Sequence, residues 1–142
     1  MDLMNLIDRA RLRKMRKTWH IPASCSIGIG TRLYGEGTIE IGRDVHISEH
    51  IMIHAGRLAF IKIGDKVSIS HHVDIRATNP HDTIILEEGA FIGAKAYVEG
   101  SLTMGRYAKL GALSLTKRSI PDYEVWGGVP AQFIKMNEVK QS

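Results

Sequence analysis

The chain is expected to fold as an all-β solenoid, a parallel β-helix, on three observations. Aliphatic residues recur every sixth position, at Ile41, Ile47, Ile53, then Ile63, Ile69, Ile75, then Leu86, Ile92, Val98, Met104 and Leu110. Glycine follows directly at Gly42, Gly64, Gly93, Gly105 and Gly111, and a small or apolar residue stands four places on at Val45, Ile51, Val67, Val73, Ala90, Ala96, Leu102 and Ala108. Every break in the six-residue count falls after a third hexad. Each hexad is a short strand plus a turn that cannot bury its apolar side alone, so such repeats must stack.

Three hexads per coil give Ile21-Ile27-Leu33, Ile41-Ile47-Ile53, Ile63-Ile69-Ile75 and Leu86-Ile92-Val98, with Met104 and Leu110 opening a fifth coil. Between the third hexad of one coil and the first of the next, the spacing is two residues too long after Leu33, four after Ile53 and five after Ile75. The insertions therefore leave the prism at one corner. Coils stack about 4.8 Å apart, so segments 54–62 and 76–85 should be neighbours, and a solenoid tolerates register-keeping insertions on its binding face.

The ends differ from the repeat and divide the chain into 1–18, 19–116 and 117–142. Leu3, Leu6, Ile7, Ala10 and Met15 are spaced for a helix over 2–18, with Asp2 as its N-cap, and this helix is expected to cap the first coil. Its polar side is basic, as in a helix that lies on a membrane, but its apolar side looks too slight for that role. Pro130 stands where a first-turn proline would start a second short helix over 130–139.

The 142 residues suit one domain, and 44% hydrophobic content excludes a disordered chain. The net charge of +4 sits largely in Arg9, Arg11, Arg13, Lys14, Arg16 and Lys17 and makes a poor case for nucleic acid. A lone cysteine, Cys25, precludes an intrachain disulfide and falls at a small core position. No apolar run reaches the roughly 20 residues of an integral membrane segment, and the arginine-rich start is no secretory signal, so a cytoplasmic setting is expected.

These hexads, together with Leu115-Thr116-Lys117-Arg118-Ser119-Ile120-Pro121 and the closing run from Trp126 to Lys135, resemble the bacterial hexapeptide-repeat acyltransferases over roughly residues 20–136. The resemblance implies a left-handed coil, a homotrimer, and acetyl-CoA as co-substrate with no metal. It also implies acetyl transfer to a hydroxyl or amine of a small acceptor, such as a sugar or nucleotide sugar of polysaccharide assembly. In that family the general base is a histidine on the loop that interrupts the coils. Here that loop holds Arg76, Asn79, His81 and Asp82, and His81 is its one histidine.

Acyl transfer needs a base independently of the resemblance. The attacking hydroxyl or ammonium must lose a proton, and imidazole, with an unperturbed pKa of about 6.5, is partly neutral near pH 7. Asp82 is the candidate to orient the ring, as carboxylates do in triads. His54 begins the loop beneath and, with Arg76 and Asn79, is expected to contact the acceptor. His46, His50 and His54 are four apart, but the six-residue period makes them strand and corner residues, not a helical metal site. His50, His72 and Lys95 are equivalent positions on successive coils and should form a ladder at one outer corner.

For the donor, the resemblance points to the late coils and the closing segment. Gly93, Ala94, Gly111 and Ala112 are small enough to let a pantetheine arm approach. Lys117, Arg118 and Lys135 are candidate contacts for the coenzyme's phosphates, and Val129 and Pro130 would shape the exit of the channel. Two alternatives share the scaffold. One is a non-catalytic binding module. The other is a γ-class carbonic anhydrase, whose zinc needs three histidines, two of them as a His-x4-His pair that this chain lacks.

Overall fold

Alternation of inward aliphatic and outward polar residues makes each hexad a strand of two to four residues. A computed structural model describes residues 3–138, with one helix, α1 (Leu3–Thr18), before the strands. The first coil holds β1 (Ser26–Ile27), β2 (Arg32–Tyr34) and β3 (Thr38–Ile41). The second holds β4 (His46–Ile47), β5 (Met52–Ala55) and β6 (Phe60–Ile63), and the third β7 (Ser68–Ile69), β8 (Asp74–Ala77) and β9 (Thr83–Leu86). The fourth holds β10 (Phe91–Ile92), β11 (Tyr97–Glu99) and β12 (Leu102–Met104). A partial fifth coil has β13 (Lys109–Leu110), β14 (Leu115–Thr116) and an isolated bridge from Ile120 to Met104.

The strands stack in parallel into three faces. The first face runs β1-β4-β7-β10-β13, the second β2-β5-β8-β11-β14 and the third β3-β6-β9-β12. Their registers align Ile27, Ile47, Ile69, Ile92 and Leu110 on the first face, and Leu33, Ile53, Ile75, Val98 and Thr116 on the second. Ile41, Ile63, Leu86 and Met104 align on the third. The predicted hexads from Ile27 to Leu110 are thus the observed ladders, whereas Ile21 is buried but lies in no strand. From the second coil to the fifth their side chains close an aliphatic core, with Val45, Val67, Ala90 and Ala108 filling the corners and all of them almost fully out of water. Burial at this level, at about 25 cal/mol per Å² of apolar surface, is what holds a fold whose strands are individually too short to persist.

The corner after the first face carries the expected ladder. His50, His72 and Lys95 adopt left-handed φ values of 56°, 57° and 60°, and the two histidine rings lie 5.1 Å apart. Each backbone N–H bonds a carbonyl one coil earlier, on Ile29, Glu49 and His71, which offsets the unfavourable dihedral. Gly93 answers a different need. A Cβ there would meet the backbone nitrogen of Ala112, in the next coil, at 2.5 Å.

Most of the inserted residues lengthen strands rather than form projecting loops. On the second and third faces β5, β6, β8 and β9 reach four residues each, leaving turns of only residues 56–59 and 78–82. The strands flanking those turns pair in register, His54 with Arg76 and Phe60 with Thr83.

The helix caps the first coil with its second half only. Met15 is buried, Leu12 and Trp19 pack on the core, Trp19 Nε1 donates to the Leu33 carbonyl at 3.2 Å, and Arg16 Nη2 donates to the Cys25 carbonyl at 2.7 Å. Leu3, Leu6 and Ile7, expected on the same packed side, are instead exposed at 69%, 46% and 45%. A stripe set by those residues cannot face the coil once Leu12 and Met15 do, because it lies on the other side of the helix. Asp2, the expected N-cap, lies outside the described residues. Cys25 is buried, as expected, with its thiol on the Gly42 carbonyl.

The second helix, expected over 130–139, is replaced by an antiparallel hairpin of β15 (Glu124–Gly128) and β16 (Ala131–Met136). Pro130 lies in the turn between these paired strands, beside Gly128 with φ +105°, and so serves as a turn residue, not as a helix start. β15 extends the first face by pairing with β13, and this gives the following residues an edge to add to. Val139 lies outside the described residues.

Candidate functional site

Polar and aromatic side chains stack on the outside of the second face and toward its edge with the third. On the second face, inward Leu33, Ile53, Ile75 and Val98 are flanked by outward residues that stack coil on coil. One row runs Tyr34, His54, Arg76 and Glu99, and a second runs Met52, Asp74 and Tyr97. A β-strand sends alternate side chains to the same face, so these rows stand side by side.

Within the rows, Arg76 Nε lies 3.0 Å from Asp74 Oδ1, each side chain about a third exposed. Asp74 Oδ1 is buried, and the Arg76 guanidinium is its polar partner. Tyr97 donates its hydroxyl to Glu99 Oε2 at 2.8 Å, and Lys117 Nζ approaches the same oxygen at 3.8 Å. Burial is the largest single influence on the Arg76 guanidinium and pulls it down, but the charge and hydrogen-bonding oxygen of Asp74, with Tyr34 and Tyr97, together outweigh it and hold the group above its ordinary value. Burial, then the hydrogen bond to Glu99, pushes the Tyr97 phenol up. His54 stacks on Tyr34, ring centroids 4.7 Å apart, and its Nδ1 is buried with no hydrogen-bond partner. The unpartnered ring nitrogen of His54 on this half-buried surface leaves polar capacity for a ligand or a neighbouring subunit.

The turn 78–82 sits where these rows meet the third face. His81 is exposed there with a left-handed φ of 68°. Asp82 serves the turn: Oδ2 accepts the Asn79 N–H at 3.0 Å and Oδ1 accepts the Ser101 hydroxyl at 3.2 Å. Each oxygen thus has one donor, neither of them the His81 ring. His54, Arg76, Asn79 and His81 share this edge.

The residues expected to hold the donor divide into two sets. Gly93 and Ala94 lie at the corner after the first face, where Gly93 is covered by the next coil and offers no open approach. At Gly111 a Cβ would meet nothing closer than Ser114 Oγ and the Trp126 carbonyl at 3.6 Å, so this corner has room, and Ala112 beside it is exposed. Lys117 is exposed on the second face near Glu99. Arg118 lies 5.7 Å from the Trp126 ring, and Lys135, Val129 and Pro130 are exposed on the closing hairpin.

The other histidines lie elsewhere. His46 Nδ1 bonds Ser26 Oγ at 2.5 Å on the first face, and His71 meets His72 edge-on. No group of three or more His, Cys, Asp or Glu side chains that could hold a metal ion occurs among the described residues. A cleft of about 440 Å³ between α1 and the first coil is lined by Arg11, Lys14, Trp19, Arg32 and Tyr34, and so opens beside the Tyr34–His54 stack.

Sequence reasoning singled out His54 and Arg76 but passed over Tyr34, Asp74, Tyr97 and Glu99. The available signal was positional: each flanks an inward aliphatic of a third hexad, so that the pairs Asp74/Arg76 and Tyr97/Glu99 bracket Ile75 and Val98. Charge at equivalent positions of successive coils is the pattern of a built surface.

No protein-family model matches the chain. Among curated proteins it is similar to the mitochondrial gamma carbonic anhydrase 2 of Arabidopsis thaliana, 28% identical over 155 residues, covering 94% of this chain and 52% of that protein. It is also similar to the serine acetyltransferase of Buchnera aphidicola, 30% identical over 128 residues, covering 83% of this chain and 46% of that protein. The chain thus spans about half the length of the curated relatives it matches. Among solved structures it is similar to AntD of Bacillus cereus, an N-acyltransferase crystallised with coenzyme A and dTDP-4-amino-4,6-dideoxyglucose. That likeness has a TM-score of 0.68 at 23% identity, over 84% of this chain and 76% of that one.

Proposed function

Because the chain belongs to the hexapeptide-repeat left-handed β-helix acyltransferase family, we propose that it moves an acetyl group from acetyl-CoA to a hydroxyl or amine of a small acceptor, a sugar or nucleotide sugar. The observation that carries this reading is the edge where the turn 78–82 meets the half-buried polar rows of the second face. Imidazole, a cation fixed at Arg76 by Asp74, and the unpartnered Nδ1 of His54 stand together there. AntD, bound to coenzyme A and a nucleotide-linked amino sugar, supports the acceptor class.

His81 is the general base in this reading. It takes the proton from the acceptor as the oxygen or nitrogen attacks the thioester carbon, and the sulfur leaves as the coenzyme's thiol. Its exposure leaves the ring free to meet an acceptor, while His54, Arg76 and Asn79 position that acceptor. Lys117, Arg118 and Lys135 bind the donor's phosphates, and Gly111, Ala112, Val129 and Pro130 flank the pantetheine arm. The enzyme works as a cytoplasmic homotrimer with its sites between subunits. The apolar side chains left on the closing hairpin, Val129, Phe133, Ile134 and Met136, support burial against another subunit.

A second reading of the base is favoured by one observation. His54 is half-buried, stacked on Tyr34, and keeps an unpartnered Nδ1, which is the better-held imidazole of the two. The discriminating experiment follows thiol release from acetyl-CoA with a panel of amino and hydroxy sugars. With His81 as base, His81→Ala lowers kcat by about 10²-fold or more and His54→Ala acts on KM. The reverse pattern transfers the role to His54, and a turnover that survives both substitutions refutes the edge as the site.

A further inference from the structure

Helix α1 has two apolar stripes, and only one is used. At about 100° per residue, Leu12 and Met15 project together toward the first coil, and Met15 is the one fully buried side chain among those described on this helix. Leu3, Leu6, Ile7 and Ala10, in the i, i+3, i+4, i+7 pattern, make a second stripe roughly 160° away around the axis. All four are exposed. Lys14 and Lys17 continue that stripe toward the prism, and Arg9, Arg11 and Arg13 flank it, all five exposed. Asp8 is the one acidic residue of the helix, and none of the five cations is in an ion pair among the described residues.

A contiguous exposed stripe of leucine and isoleucine rimmed by one sign of charge marks an interaction surface. The sequence alone speaks against a helix lying on a membrane because its apolar side is slight. With Leu12 and Met15 assigned to the coil and Leu3, Leu6 and Ile7 left together in the open among cations, we infer that this stripe docks the protein on the surface of an anionic phospholipid bilayer. Leu3, Leu6 and Ile7 enter the boundary between headgroups and acyl chains, while the lysine and arginine heads stay at the phosphate level and their methylene stems cover apolar surface. Charge complementarity selects this occupant. A second copy of the helix would bring like charge against like charge, and a nucleic acid would engage the cations but leave the apolar stripe in water. The docked helix is peripheral, since no helix among the described residues is long and apolar enough to cross a membrane. Because the packed stripe holds α1 to the first coil, docking sets the prism beside the bilayer with the Tyr34–His54 end nearest to it.

The test is sedimentation of the full chain with vesicles of phosphatidylglycerol mixed equally with phosphatidylcholine, against pure phosphatidylcholine vesicles. Expected are pelleting with the anionic vesicles alone, weakening in half-molar salt, and a loss of at least about tenfold in partitioning for the Leu6→Glu/Ile7→Glu variant. These residues are exposed, and an unchanged circular dichroism spectrum verifies that the variant keeps the coil. No pelleting with anionic vesicles overturns the inference. So does pelleting that the double variant leaves intact, which would mean adhesion by charge alone. So does self-association abolished by the double variant without lipid binding, or a shift of duplex DNA in the absence of lipid binding.

Discussion

Replacing Gly93 with alanine separates a glycine needed by the fold from one available to a ligand. The added Cβ would sit 2.5 Å from the Ala112 nitrogen, 2.8 Å from the Gly111 carbonyl carbon and 2.9 Å from the Ala112 Cα. All three are backbone atoms of the next coil, so no side chain can swing aside. The nearest lies about 0.9 Å inside ordinary contact, and overpacking of a closed site costs roughly 1–3 kcal/mol. With the backbone itself displaced, the upper end applies, reduced by about 0.5 kcal/mol for the stiffer unfolded chain. Gly93→Ala should therefore lose about 2 kcal/mol. Gly111→Ala is the control, since its Cβ meets nothing closer than 3.6 Å and should leave stability within about 0.5 kcal/mol of the parent. Urea unfolding followed by tryptophan fluorescence and circular dichroism measures both. Equal stability of the two variants would refute the claim that coil stacking, not ligand access, dictates glycine at position 93.

Three further outcomes are expected. Ile75→Ala, at a site with no exposed surface between Ile53 and Val98, should cost about 3–4 kcal/mol in the same unfolding assay, and a loss under about 1 kcal/mol would mean the core there can collapse. The folded state holds the Tyr97 proton more tightly than the unfolded chain, so its contribution is complete below about pH 10 and is lost as pH rises through the raised folded value. Tyr97→Phe should then lose less stability than the parent between neutral and strongly alkaline pH, which thermal melts across that window will read. Asp82→Ala removes acceptors for the Asn79 N–H and the Ser101 hydroxyl and should cost about 1–2 kcal/mol. Asp82→Asn that spares stability but removes turnover would instead make Asp82 the partner of a catalytic imidazole.

The coil was legible because its physics is periodic. An inward aliphatic every six residues needs no knowledge of neighbours, and Ile53, Ile75 and Val98 stack where the count put them. The closing hairpin was not legible, because Pro130 fits either a first helical turn or a tight turn, and what decides is the open edge of β13 and β15, a tertiary fact. The two stripes of α1 were merged for a similar reason. Leu3 to Ala10 and Leu12 with Met15 both read as apolar helix, and only the position of the coil says which is buried. At the candidate site, His54 and Arg76 stood out as rare residue types beside an insertion. Asp74, Tyr97 and Glu99 look like ordinary surface until the register lines them up across coils. Asp82 shows the converse, since its place next to His81 was plain in the sequence, whereas its bonds to Asn79 and Ser101 appear only once the turn is folded.

The measurement that tests the central claim most directly is calorimetric titration of the full chain with acetyl-CoA, repeated with Lys117→Ala. The account predicts saturable binding at one donor per chain, weakened in the variant by roughly three- to tenfold as one charge-assisted contact is lost. No heat at about millimolar donor would contradict it, and would turn attention to the carbonic anhydrase likeness and a zinc site assembled between subunits.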